Sequence, residues 1–245
     1  MSESAAQPQP VAAPMSLPAR LAGVIFSPAA TFKSIAAHPK WLGAFVVVLL
    51  ALSGAQFAFL STKVGQEAML DQQMKRIESM GGTVTQQQEE QQEKMLPFMR
   101  YIVGGATLVF GTVMTFAFAG ILYAVFTAMM GGEASYKQVL AVSTHAGAVQ
   151  LLQLAFSLPL NYFRETMTSP TNLGVFVPFL DETSVIARFL GVIDLFLIWW
   201  LIVLAIGVGV LYRRKTAPIF ASFMGVYVAI AAIVAIVMGA IAGSH

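Results

Sequence analysis

The run Ile186–Lys215, IARFLGVIDLFLIWWLIVLAIGVGVLYRRK, limits what this chain can fold into more than any other stretch. Between Arg188 and Arg213 lie about two dozen residues with one ionisable member, Asp194, and as a helix they would cross a ~30 Å hydrocarbon core. A soluble core helix rarely needs so long an apolar run. The segment closes on Tyr212 and the basic turn Arg213, Arg214, Lys215, an anchor of the kind held on the cytoplasmic side of a membrane. The run therefore predicts a span, an orientation and one buried acid.

Composition points to the same solvent. Hydrophobic residues are 57% of the chain and charged residues only 11%, against roughly 45–50% and 25% in soluble domains. A net charge of +2 is too small to argue for nucleic acid as a partner. With no cysteine and only His38, His145 and His245, far apart in sequence, neither a disulfide framework nor a metal-ligand cluster is visible, and no cofactor is expected.

Read in order, residues 1–16 are an Ala/Pro/Gln/Ser tail with no signal-peptide pattern. Residues 17–40 read as helices lying in the cytoplasmic interface. Ser27-Pro28 starts one of them, with a side-chain acceptor at the cap and a proline in the first turn, and Pro39 stops it. Phe32 and Ile35 share its apolar face while Lys33 points toward headgroups and cytoplasm, so this segment reads as an interfacial anchor with Trp41 at its membrane boundary. An ordinary linker helix touching no lipid is the alternative.

The first span is 41–60. Residues 61–100 form the long polar stretch, read as an extracytoplasmic helical hairpin. Leu70, Met74 and Ile77 recur at helical spacing, Gly81-Gly82 interrupts, and Thr85 to Gln88 fits a capping box opening a second polar helix to about Met95. The second span, 101–130, carries Thr107, Gly111, Thr115 and Ala119 four apart on one face. That row serves packing within the chain or homodimerisation. Span three, 139–160, is the most polar, with Ser143, Thr144, His145, Gln150 and Gln153. After a second outer loop, whose LGVFVPFL is too short to cross, come spans 189–212 and 218–241, the last with Ala221, Gly225 and Ala229 in a row. The fold class is all-α: a polytopic membrane bundle of five helices. Because the cluster Arg213–Lys215 sits in a minimal loop, the amino terminus is expected inside and the carboxyl terminus outside the cytoplasmic (inner) membrane.

Three stretches, SPAATFKSIAAHPKW before the first span, KQVLAVSTHAG entering the third and IDLFLIWWLIVLAIGVG in the fourth, resemble bacterial members of the Yip domain family, named for eukaryotic proteins that bind Ypt/Rab GTPases. The resemblance runs from about Leu17 to the carboxyl terminus. It implies a five-helix membrane domain with a cytoplasmic amino terminus and supplies no established activity. The long acidic tail of the eukaryotic relatives is missing, so GTPase binding is not carried over.

Helical rise places the polar residues in depth. Asp194 falls roughly 8 Å below the outer edge and His145 about 9 Å above the inner one, on the order of 13 Å apart along the normal. Gln56 and Gln153 fall near the level of Asp194. The expectation is an outer polar layer of Gln56, Gln153 and Asp194, with His145 in a separate cytoplasmic-side site. Alternatively, Asp194 snorkels to outer water. For function, a non-enzymatic scaffold contacting lipids, a second copy or other membrane proteins ranks first. A solute or ion transporter follows, weakened because no pair of broken helices is visible. An intramembrane enzyme using His145 and Asp194 is third.

Overall fold

The computed structural model describes residues 15–79, 82–83, 85–181 and 184–242. Most of the tail, Gly81 and His245 lie outside them. The described chain is all helical, and four of its helical runs, Leu42–Leu60, Gln86–Met129, Tyr136–Phe163 (interrupted at Gly147) and Thr216–Ile241, are long and apolar enough to cross a membrane.

Two short helices lead. Ser16 caps α1 (Leu17–Phe26), and α2 (Pro28–Ala37) follows after a single residue. Ser27 makes no side-chain cap. Its carbonyl instead accepts from Thr31 Oγ1 at 2.9 Å. Phe32 and Ile35 are not at the headgroup boundary, which corrects the interfacial-anchor expectation: both are fully buried, in one apolar cluster with Val142, Val203, Leu204 and Val208. The reason is a glycine on the facing helix. A Cβ at Gly207 would come within 2.6 Å of Val142 and 3.0 Å of the Phe32 ring, so a larger residue there would clash with Val142 and crowd the aromatic. Gln138 Nε2 donates to Ala36 O at 3.0 Å and Arg20 Nη1 to Lys40 O at 3.1 Å, pinning the end of α2 and the residues after it. Lys33 is exposed. Trp41 is half-buried, its ring edge-on to Phe116 at 5.6 Å.

Helix α3 (Leu42–Leu60) packs along α5. Gly65 lets α4 (Lys63–Ser79) turn back tightly, since a Cβ there would sit 2.0 Å from the Phe59 carbonyl oxygen. Thr85 and Gln88 form the capping box of α5 (Gln86–Tyr123). That helix does not stop near Met95. It runs unbroken from the polar stretch into the apolar one and on through a π-helical turn, Ala124–Met129, 44 residues in all. Pro97 removes one N–H donor, but the carbonyl left unpaired belongs to solvent-exposed Glu93, where water can replace the bond. The row from Thr107 to Ala119 lies on the α3–α5 seam in part: Ser53 Oγ donates to Gly104 O at 2.9 Å, and a Cβ at Gly111 would meet Leu49 at 2.8 Å. Ala221, Gly225 and Ala229 instead face outward, with open space above Gly225.

Two expected spans are interrupted. The third consists of α6 (Tyr136–Ala146) and α7 (Ala148–Phe163), parted at Gly147. The fourth breaks into α8 (Val185–Val192) and α9 (Leu195–Leu211), so Asp194 lies in the break and not within a helix. At 17 residues, α9 alone is about 26 Å long. The last helix, α10 (Thr216–Ala242), returns after a turn in which Arg213, Arg214 and Lys215 are all exposed. Arg213 adopts a positive φ of 53°, and Arg214 donates to Met130 O at 3.1 Å.

If Phe32 is a core residue, Phe32→Ala should cost about 3–5 kcal/mol of stability and Lys33→Ala less than about 0.5 kcal/mol. Thermal unfolding in detergent micelles measures both, and equal, small effects would return α2 to the interface.

Candidate functional site

A helix broken inside hydrocarbon exposes backbone donors and acceptors that water cannot reach, so protein must satisfy them. At Ile193 and Asp194, which are 5% and 8% exposed, the backbone is extended. A Tyr from α10 splints the gap: Tyr227 Oη accepts from Asp194 N at 2.9 Å and donates to Val192 O at 2.7 Å. The loop after α7 takes the other groups by a short antiparallel pairing. Leu173 N donates to Ile193 O at 2.8 Å, and Leu195 N to Thr171 O at 3.1 Å. Asn172 holds that loop in shape, donating to Ser169 O at 2.6 Å and accepting from Val175 N at 3.1 Å.

The Asp194 carboxylate is the centre of the network. As the N-cap of α9, its Oδ1 accepts from Phe196 N at 2.8 Å and Leu197 N at 3.2 Å, and the positive end of the helix dipole favours its charge. Oδ2 accepts from Ser169 Oγ at 2.5 Å and Thr171 Oγ1 at 2.8 Å. Gln153 Nε2 of α7 reaches Oδ1 at 3.4 Å. The carboxylate is thus buried and fully bonded, and it does not reach outer water.

Beside this network, between α3 and α7, lies a cavity of about 220 Å³ lined by Gln56, Gln150, Gln153, Ser157, Asn161 and Ser169 among others. A second, of about 240 Å³, lies between α3, α5 and the α6–α7 junction, lined by Ser143, Thr144 and Gly147. Leu52 and Gln150 border both.

The structure therefore brings Gln153 to Asp194 and sets Gln56 on the adjoining cavity without a hydrogen bond to the acid. His145 is elsewhere, fully buried in α6, with Nδ1 2.7 Å from its own helix's Ala141 O and Nε2 without a partner. No base–acid pair with Asp194 forms. Ser169, Thr171 and Tyr227 were not singled out from sequence. Ser169-Pro170-Thr171-Asn172 does carry a turn signature that could have marked a folded loop, whereas Tyr227 looks like any aromatic in an apolar span. Among the described residues, no three His, Asp or Glu side chains converge as a metal site would require.

Residues 22–239 match the family model of the Yip1 domain. The chain belongs to the Yip1 domain family. No curated protein and no solved structure matches it. The match spans both interruptions and the loop between them, so the Asp194 network lies wholly within the Yip1 domain.

In this Yip1 protein, Asp194→Ala should cost about 2 kcal/mol through loss of the cap. Tyr227→Phe, which strands the Asp194 N–H and the half-buried Val192 carbonyl, should cost about 1–3 kcal/mol. Melting in detergent reads both; a neutral Tyr227→Phe would show that the break is not splinted as described. In the cysteine-free chain, paired cysteines at 153 and 194 should crosslink with a short reagent, and those at 145 and 194 should not.

Proposed function

We propose that this Yip1 protein is a non-enzymatic organiser of the cytoplasmic (inner) membrane, acting through contacts with lipids and with other membrane proteins or a second copy. The observation that carries the reading is the continuity of α5. With its π-helical end it is 44 residues, about 66 Å, more than twice a ~30 Å hydrocarbon core. About half of it therefore stands outside the bilayer as an arm, with α4 beside it. Exposed Phe98 and Tyr101 suit the level where aromatic side chains prefer to sit, and Arg100 stacks 4.8 Å over the Tyr101 ring. The acids Glu67, Asp71, Glu78, Glu90 and Glu93 are exposed along the arm. A helix continuous through the boundary couples whatever binds the arm to the packing of the membrane domain without a flexible joint. The outward row Ala221, Gly225 and Ala229 adds a face where a neighbouring helix can approach closely.

The arm is taken to be extracytoplasmic, with the amino terminus inside and the carboxyl terminus outside, because the exposed Arg213–Lys215 turn is short and basic. A cysteine at Gln88 should react with a membrane-impermeant reagent from outside, and a reporter fused after His245 should behave as extracytoplasmic. Two cytoplasmic results would invert the orientation.

A solute path is the second reading, favoured by the two cavities that share Leu52 and Gln150 and by the interruptions at Gly147 and Asp194. Purified protein in liposomes separates the two. The organiser reading expects no ion or small-solute flux above protein-free vesicles, and flux abolished by Gln150→Leu would replace it with a transporter.

A further inference from the structure

We infer that the cavity between α3 and α7 is a binding site for an uncharged polyhydroxyl group, either a free polyol or the sugar headgroup of a lipid. The α7 wall is written at helical spacing: Gln150, Gln153, Ser157 and Asn161 fall at i, i+3, i+7 and i+11 and share one face. Opposite them α3 contributes Gln56 and Phe59, and the loop contributes Met167 and Ser169. Every polar group in that lining is an amide or a hydroxyl. Among the described residues, no Asp, Glu, Lys or Arg lines it.

Two of those groups have no protein partner. Ser157 Oγ and Asn161 Oδ1 are buried atoms without a hydrogen bond; they lie just under the cavity surface, and a small rotation of either side chain toward the cavity lets an occupant pair them. The neighbouring acid does not turn the cavity into a cation site. Asp194 already accepts from Ser169, Thr171, Phe196, Leu197 and Gln153, so a cation would have to displace bonds that cap α9. An anion would find no cationic side chain in the lining. A hydroxyl can donate and accept at once, which suits a wall of mixed amides and hydroxyls. The Phe59 ring and Met167 offer an apolar surface for the C–H face of such a group. The volume of about 220 Å³ equals that of roughly seven liquid waters, room for a small polyol or one sugar ring. This site does not depend on the arm or on the organiser reading; it is one of the two cavities on which the solute-path reading rests, and binding without flux in the liposome assay separates a binding site from a path.

The natural absence of cysteine makes the test direct. Ser157→Cys and Asn161→Cys are prepared separately in nanodiscs, with Ala155→Cys as a control on the exposed side of the same helix. The rate of modification by uncharged methyl methanethiosulfonate is then followed. Sorbitol, choline and glycerol 3-phosphate are added at matched osmolality. In a second arm, glucosyl diacylglycerol replaces part of the nanodisc lipid. At ten times its dissociation constant, the occupant should slow modification at the cavity positions about elevenfold and leave position 155 unchanged. Protection by sorbitol assigns a free polyol, and protection by the glucosyl lipid alone assigns a headgroup. Equal or better protection by choline or glycerol 3-phosphate would overturn the uncharged class. Modification that no probe slows would show a cavity holding water only. Failure of both cavity cysteines to react would show that it is closed to ligands.

Discussion

Backbone polar groups buried away from water have nowhere to go but protein, and this constraint shapes the part of the bundle that holds Asp194. Breaking the chain between Val192 and Leu195 releases N–H and C=O groups in a region that helix continuity would have kept satisfied. The Asp194 carboxylate closes the start of α9, Tyr227 bridges across the gap, and the loop around Thr171 pairs with the exposed edge. Three separate elements, α7, the loop after it and α10, are thereby tied to a single two-residue interruption. The acid is held there by five donors, so its burial reflects bonding and not merely depth.

The other end of the bundle is secured by shape. Gly207 leaves a hollow in α9, and Phe32 of α2 fills it against Val142. The amino-terminal segment is consequently part of the core. Removing a side chain from a close-packed site leaves a void that neighbours fill only partially, so α2 is coupled to α6 and α9. One end of the domain is fixed by hydrogen bonds and the other by interdigitation, and the polar cavities bordered by Gln150 lie along the packed helices. The unbroken 44-residue run of α5 and its π-helical end carries that packing along one continuous helix.

Membrane residence, helical class and the approximate position of each apolar segment were legible from composition and run length. Lipid imposes these locally: enough consecutive apolar residues must become a helix whatever else the chain does. The capping box at Thr85–Gln88 was legible for the same reason, because both partners lie within one turn.

What the sequence could not reveal depends on groups far apart in the chain. IDLF reads as uninterrupted helix because each of its residues tolerates helix. The Asp194 cap is local, but the break is completed by Thr171 and Tyr227, 23 and 33 residues away, which supply the other hydrogen bonds. Phe32 and Ile35 read as a lipid-facing stripe because an apolar face has the same pattern whether lipid or protein covers it. Only the space over Gly207 decided that protein does. Composition and apolar run length, then, determined that this chain is a bundle of membrane helices. Tertiary packing decided where those helices break, which faces lipid touches and where the polar groups converge, since those outcomes rest on pairs that no local window contains.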